Sequence, residues 1–180
     1  MTADVDLAVE LLRATPTHER RDDAQLRDWA EIALAYGDEL ADGPDPETDV
    51  EIVERTGGVR DGELLIAEYR KPTITLYRDS LALLEKIAKR EGWPVSAAAL
   101  RKAAVAHELL HDRLDVRELN RRLGHTAVRL GPLRVRGHVA GADELVAHRY
   151  AHRRSALGVS PLLLTTALAA ACATGSGRGV

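Results

Sequence analysis

The chain has 180 residues, of which 45% are apolar and 29% are charged, as is typical of one globular domain with a sizeable core. Its formal net charge of −3 argues against a nucleic-acid-binding protein, which normally carries a basic surplus. The only cysteine, Cys172, excludes an intramolecular disulfide and is typical of a reducing compartment.

No segment predicts export or membrane insertion. The first residues are acidic and lack the basic and apolar regions of a signal peptide. The longest weakly polar run, 161–173, is shorter than the roughly 20 apolar residues that span a bilayer, and it predicts a buried terminal helix. We therefore expect a cytoplasmic protein without a membrane partner.

The first half of the chain predicts two helices followed by a small sheet. Apolar residues spaced by threes and fours indicate helices over 5–13 and 24–40. Short segments rich in β-branched or alternating apolar residues then follow, at 49–55, 64–69 and 73–77. Their spacing predicts a meandering sheet of about three strands.

The second half predicts mainly helices. Capping and helix-breaking residues delimit these helices, over 81–91, 96–114, 115–123, 142–156 and from Pro161 onward. Asp79 and Ser80 are predicted to cap the first of them, and Ser96 the second. Segment 126–137 is predicted to be a loop or a short extended piece.

The helix predicted over 96–114 carries the motif H-E-x-x-H. His107 and His111 are four residues apart, so their imidazoles lie on one helix face, one turn apart. Two neutral imidazoles at that separation suit a Zn²⁺ ion, and Glu108 lies close enough to act on a metal-bound water. A catalytic zinc needs a third protein ligand, which leaves the fourth position for water.

Glu144 is the candidate for that third ligand. It lies near the start of the helix predicted over 142–156, on the same face as Ala147, His148 and Ala151. Small alanines on both helices would let them approach closely, as a shared metal requires. Taken alone, Glu144 would be interpreted as a solvated carboxylate near a helix N-terminus, where it is favourable in any case.

Together the two motifs resemble those of the small gluzincin metallopeptidases of the ImmA/IrrE type. The first family pattern, H-E-[LI]-x-H, is similar to His107 through His111, and the second, E-x-x-A-N-x-F-A, to Glu144 through Ala151. The resemblance covers residues 64–154. It implies an α+β, zincin-like fold, in which a short sheet precedes the zinc-bearing helix.

We accordingly expect a metallopeptidase domain over 47–173, an N-terminal helical segment over 1–46 and a disordered tail over 174–180. The DNA-binding helix-turn-helix that often accompanies the family is not recognisable in the N-terminal segment.

The resemblance implies a zinc-dependent peptidase with a peptide or protein substrate. His107, His111 and Glu144 would bind the zinc, and Glu108 would serve as the general base for the attack of the zinc-bound water on the peptide bond. The sequence departs from the family at His148, where the family has Asn, and at Tyr150, where it has Phe. The histidine at position 148 leaves three roles open, which are to orient a ligand, to contact the substrate or to compete for the metal.

The residue that stabilises the tetrahedral oxyanion is left open by the sequence. Tyr150, His148 and His125 are the candidates, and each is equally well interpreted as a packed or surface side chain. The residues 152–154 are expected to form a solvated helix face. The basic residues Arg129, Arg134 and Arg136 are also expected to face solvent. The sequence predicts neither the physiological substrate nor the oligomeric state.

Two other interpretations compete with the peptidase. Glu108-x-x-His111 is also the ligand pattern of ferritin-like di-iron bundles, but the second half offers only Glu144-x-x-x-His148, which would need Asp143 as a substitute. The other interpretation is a non-catalytic regulatory or interaction module that binds metal structurally. A closed site with His148 as a fourth ligand would favour that module.

Overall fold

In a computed structural model, the chain is described over residues 2–17, 21–44, 48–60, 63–130 and 133–175. These residues form seven helices, a three-stranded sheet and two short antiparallel strand pairs, so the fold is mixed α+β as the sequence predicts. The helices are α1 (Thr2–Ala14), α2 (Asp23–Asp42), α3 (Arg78–Arg90), α4 (Ala97–Arg113), α5 (Val116–Leu123), α6 (Ala142–Ser155) and α7 (Pro161–Gly175). The strands are β1 (Glu51–Arg55), β2 (Val59–Arg60), β3 (Glu63–Leu64), β4 (Ala67–Arg70), β5 (Thr73–Tyr77), β6 (Thr126–Leu130) and β7 (Leu133–Arg136). None of the described helices is long and apolar enough to cross a membrane.

The three-stranded sheet has the order β1-β5-β4, and the predicted meander is wrong. Strand β1 is parallel to β5, with Ile52 opposite Ile74, whereas β4 pairs antiparallel with β5. A meander would join neighbouring antiparallel strands in sequence order. Alternation of apolar residues identifies a strand but not its partner, which explains the error. Ile74 and Leu76 do share one buried face, at 0% and 2% exposure.

The predicted cap at Asp79-Ser80 is wrong, because α3 begins at Arg78, three residues before the predicted start, so that both residues lie inside the helix. Tyr77 is the N-cap and makes no side-chain capping bond. The Asp79 carboxylate instead accepts hydrogen bonds from the backbone N–H groups of Gly57, Gly58 and Val59, at 3.0, 3.3 and 3.3 Å. The hydrogen bonds of Asp79 therefore hold the loop before β2 against the start of α3.

The predicted boundaries of α4 and α5 are confirmed. The Ser96 hydroxyl accepts a hydrogen bond from the N–H of Ala99, and Asp115 accepts from the first turn of α5. Gly124 ends α5 in the left-handed conformation, with φ of 62°. These are local signals, so the sequence is sufficient to locate them.

Segment 126–137 contains the antiparallel pair β6–β7 and not an unpaired loop. Val128 lies opposite Val135, and Leu130 lies opposite Leu133, with an irregularity near Thr126. The irregularity breaks the period-two pattern, which explains why the sequence is hard to interpret here. The expected solvent exposure of Arg129, Arg134 and Arg136 concerns side chains outside the described part of the structure.

Two hydrophobic clusters meet along α4 and α6. One joins α1, α2, α5 and α6 through residues such as Leu12 and Val146, and the other joins the sheet, α3, α4 and α7 through residues such as Ile74 and Leu164. The N-terminal helices therefore pack directly on α6. At the other end, α7 extends to Gly175, into the segment expected to be a tail, and residues 176–180 lie outside the described chain.

Candidate metal centre

Small side chains bring α4 and α6 into contact where the site lies. Ala103 on α4 is buried, and Ala147 and Ala151 on α6 are 0% and 1% exposed. Their methyl groups leave little distance between the two helix backbones. The close approach predicted from the alanines is therefore confirmed, and it carries Glu144 from the first turn of α6 to the H-E-x-x-H face of α4.

The structure brings together the three residues that the sequence proposes as metal ligands. The Nε2 atoms of His107 and His111 are 3.1 Å apart. The Oε2 atom of Glu144 lies 3.4 Å from His107 Nε2, and its Oε1 atom lies 3.3 Å from His111 Nε2. Two imidazole nitrogens of α4 and both carboxylate oxygens of Glu144, which lies 33 residues after His111, thus come together.

Glu144 and His111 each stabilise the charged form of the other. Hydrogen bonding to His107 and His111 holds the pKa of the Glu144 carboxyl far below its usual range, despite its partial burial. In turn, hydrogen bonding to Glu144 raises the pKa of His111. Glu144 is therefore ionised, and both imidazoles face a negative charge, which is the environment of a cation-binding site.

Asp143 and His148 enlarge the cluster into two overlapping donor sets. His107, Glu144 and His148 form one set, and His111, Asp143 and Glu144 form the other, with the ligand atoms of each set within 4.8 Å of one another. Both sets are close enough to hold a metal ion. From the sequence, Asp143 is proposed only as a substitute ligand in the di-iron interpretation. Its position next to Glu144 is the signal that could have identified it as a member of the donor cluster.

His148 lies at the edge of the cluster and is largely buried. Its side chain is 14% exposed, its Nε2 is 4.0 Å from Glu144 Oε2, and its ring centroid is 4.8 Å from that of His107. Burial, together with the neighbouring His107, lowers the pKa of His148 to about 3. His148 is therefore neutral at physiological pH and available as a ligand or hydrogen-bonding group.

Glu108 faces two cavities that meet at the donor cluster. One is an open groove that it shares with β4 residues such as Glu68 and Tyr69, and the other is a more enclosed apolar cavity of about 350 Å³. The Glu108 carboxylate makes no hydrogen bond or ion pair with another residue of the described chain. It is thus positioned to act on a molecule in the cleft.

Tyr150 and His125 are not brought to the cluster. Tyr150 is 6% exposed within the core shared with α1 and α2, and the Arg154 guanidinium lies 5.6 Å from its ring centroid. His125 packs edge-on against Trp29, at 5.1 Å between ring centroids. Among the described residues that line the two cavities, neither is present.

The basic end of α6 is only in part the solvated face that the sequence predicts, because Arg153 is exposed whereas His152 and Arg154 are half-buried. Arg153 forms ion pairs with Asp38 and Asp42 on α2, at 3.1 and 2.6 Å. Arg154 donates to the carbonyl oxygens of Gly43 and Pro44, and His152 is half-buried. The prediction is wrong for His152 and Arg154, because charge alone does not show that part of a helix face packs against a neighbouring element.

No protein-family model matches the chain, and no curated protein or solved structure is significantly similar to it. The chemistry of the centre is therefore inferred from the donor geometry of α4 and α6.

Proposed function

We propose that this chain is a zinc-dependent metallopeptidase with a zincin-like fold of the gluzincin type. The observation that carries the proposal is the convergence of the His107, His111 and Glu144 donor atoms beside Glu108. Two imidazoles and one carboxylate, with a further carboxylate held apart from them, are the donor set of a catalytic zinc with its general base.

The separations between the donor atoms fit zinc. Bonds of about 2.0–2.1 Å in a tetrahedral site place neighbouring ligand atoms roughly 3.3–3.4 Å apart. The two imidazole nitrogens lie 3.1 Å apart, and they lie 3.4 and 3.3 Å from different oxygens of the Glu144 carboxylate. The cluster can therefore accept the ion once the carboxylate turns to offer it one oxygen or both.

Zinc, when bound, would acidify water and polarise a carbonyl group, and the chain supplies the remaining chemistry. In the proposed hydrolysis, a Glu108 oxygen accepts the proton of the attacking water as the oxygen–carbon bond forms. The same carboxyl then returns the proton to the amine nitrogen as the carbon–nitrogen bond breaks. The neutral imidazole of His148, which lines the same cavity, would donate a hydrogen bond to the carbonyl oxygen as it becomes negative.

The groove beside the cluster favours a peptide substrate. Ala67, Glu68 and Tyr69 of β4 line it together with His107 and Glu108. Among the described strands β4 pairs only with β5, so its other edge has backbone groups available. An extended peptide can pair with such an edge and present one of its carbonyl groups to Glu108.

A non-catalytic metal module is the second candidate, and His148 is the observation that favours it. A metal held by His148 in addition to His107, His111 and Glu144 would have a closed coordination shell, as structural zinc does. The di-iron bundle is not favoured, because the donor sets lie on two helices beside a sheet and not on four helices.

Metal analysis of the purified full chain tests the proposal. We expect one zinc per chain in the wild type and a large loss in both His107→Ala and Glu144→Ala, since each removes a ligand. His138→Ala is the matched control, because His138 is exposed and its ring contacts Asn120. Two irons per chain, or an unchanged zinc content in Glu144→Ala, would contradict the proposed ligand set.

Replacement of zinc by Co²⁺ distinguishes a peptidase site, which has an open coordination position, from a structural site that His148 closes. A site with an open position is expected to change its Co²⁺ absorption spectrum when acetohydroxamate is added, whereas a site closed by His148 is not. Loss of peptide hydrolysis on chelation and its return with zinc would complete the case for an enzyme.

A further inference from the structure

An apolar cavity of about 350 Å³ opens directly beside the donor cluster. His107, Glu108, Glu144 and His148 form its polar wall. Thr165 is the only other polar residue among the described residues that line it, and the remaining ones are aliphatic. Any group that fills the cavity would thus lie next to the proposed reacting centre.

Alanines on the metal-bearing helix keep the cavity open. Ala103 and Ala104 lie one turn before His107 and Glu108, and both line the cavity. Larger side chains at these positions would fill the space next to the cluster. Leucines of α3 and α7 contribute another part of the wall, including Leu84 and Leu164, each of which is 3% exposed.

The mouth of the cavity joins the groove along β4. Leu65 and Ala67 line both spaces, as do His107, Glu108 and Glu144. Leu65 is 44% exposed, which is high for a leucine at the rim of an apolar cavity. A peptide in the groove would cover Leu65 and direct a side chain into the cavity.

We propose that this cavity binds one large aliphatic side chain of the substrate, on the residue that adjoins the scissile bond. The inference rests on the proposed peptidase function and adds its specificity. The volume is at the small end of ligand sites, which suits one side chain and not a folded segment. Beyond the polar wall, the lining offers only the Thr165 hydroxyl to a charged or amide side chain, which would lose most of its hydrogen bonds to water.

Two hydroxamates that differ only in their alkyl chain test the proposal on the zinc-loaded full chain. Acetohydroxamate carries a methyl group, and 4-methylpentanohydroxamate adds four carbons that reach beyond the metal. If the isobutyl end enters the cavity, calorimetry should show that the longer compound binds more tightly. The gain should be roughly tenfold if two of the added carbons are buried and roughly two-hundredfold if all four are, at about 0.8 kcal/mol for each buried carbon.

Variants on α4 test whether the difference in affinity between the two hydroxamates arises in the cavity. Ala104→Phe fills the cavity, so the ratio of the two dissociation constants should fall towards one, and Ala104→Leu, a smaller enlargement, should reduce it in part. Ala98→Phe is the matched control, because Ala98 is exposed on the same helix and outside both cavities, and it should keep the wild-type ratio.

Two results would overturn the proposal. Equal affinity of the wild type for both hydroxamates, or a full ratio retained in both Ala104 variants, would exclude the cavity as the binding site and leave the peptidase proposal intact. Failure of both compounds to bind would also overturn it, and the zinc content of the same sample then shows whether the metal site itself is at fault.

Discussion

At the scale of single residues, Glu108 and the three proposed ligands beside it differ in how far the sequence alone predicts them. The local spacing of His107 and His111 is enough to predict that they face one point, since four residues make about one helical turn. Glu144 could be proposed only through a second motif, because nothing local to it requires a metal. Tyr150, one of the three candidates for the oxyanion donor, lies away from the cluster because the sixth position after Glu144 on α6 faces the N-terminal helices.

The first prediction concerns Glu108→Gln. Glutamine keeps the shape of the side chain but cannot accept the proton of the attacking water. We therefore expect unchanged zinc content and a fall in the rate of peptide hydrolysis of about 10²–10⁴-fold. Hydrolysis is measured by mass spectrometry of a peptide library, with Glu31→Gln on the exposed face of α2 as control. Loss of zinc in Glu108→Gln would make Glu108 a ligand instead.

The second prediction is that His148 makes the stability of the metal-free protein depend on pH. Its pKa of about 3 in the folded chain lies below the ordinary value of 6.5, so the unfolded state binds more protons between these values. This contribution to stability is complete above pH 6.5 and is lost as the pH falls towards 3. By pH 5 it should amount to a loss of about 2 kcal/mol.

Urea unfolding of chelator-treated protein at several pH values measures this loss. His148→Gln should flatten the acid limb of the stability profile, while the exposed variant His138→Gln should leave it unchanged. An identical pH profile in His148→Gln and the wild type would show that another group controls acid unfolding.

At the scale of elements, the packing of α2 on α6 depends on Gly37. A glycine inside a helix suggests a weak point, and helix propensity alone predicts a gain of about 1 kcal/mol for Gly37→Ala. In the fold, however, an added Cβ would lie 2.8 Å from Arg149 Cβ and 2.8 Å from the Val146 carbonyl oxygen. Both atoms belong to or adjoin the α6 backbone, so they have little freedom to move aside.

We therefore predict that Gly37→Ala lowers the free energy of unfolding, by about 1–3 kcal/mol. Ala35→Gly is the companion variant on the exposed face of α2, where propensity alone should cost about 1 kcal/mol. Thermal and denaturant unfolding measure both changes. A gain of stability in Gly37→Ala would mean that α2 and α6 separate more easily than their contact suggests.

At the scale of the whole molecule, a metal at the centre would join the two hydrophobic clusters. Its ligands lie on α4 and α6, and both helices contribute residues to both clusters. A ligand that binds only the folded state stabilises it by about 2.7 kcal/mol at 100 times its dissociation constant. For a chain of this length that corresponds to a rise in Tm of about 5–10 °C.

The expected outcome is a zinc-dependent rise in Tm for the wild type, reversed by a chelator, and no such rise for Glu144→Ala. Magnesium serves as the control ion, because it prefers an all-oxygen octahedral site. An equal rise in Glu144→Ala would place the stabilising zinc elsewhere on the chain.

The sequence by itself determined the local features of this protein. Helix α4 and its cap at Ser96, the end of α5 at Gly124, and the shared face of His107 and His111 all depend on residues within one or two turns. Only the tertiary structure decided the parallel pairing of β1 with β5, the contact of Asp79 with the loop before β2 and the ion pairs between α6 and α2. It also decided that Glu144 and His148 meet His107 while Tyr150 does not. These contacts join residues far apart in the chain, and periodicity shows which face of an element is buried but not which neighbour buries it.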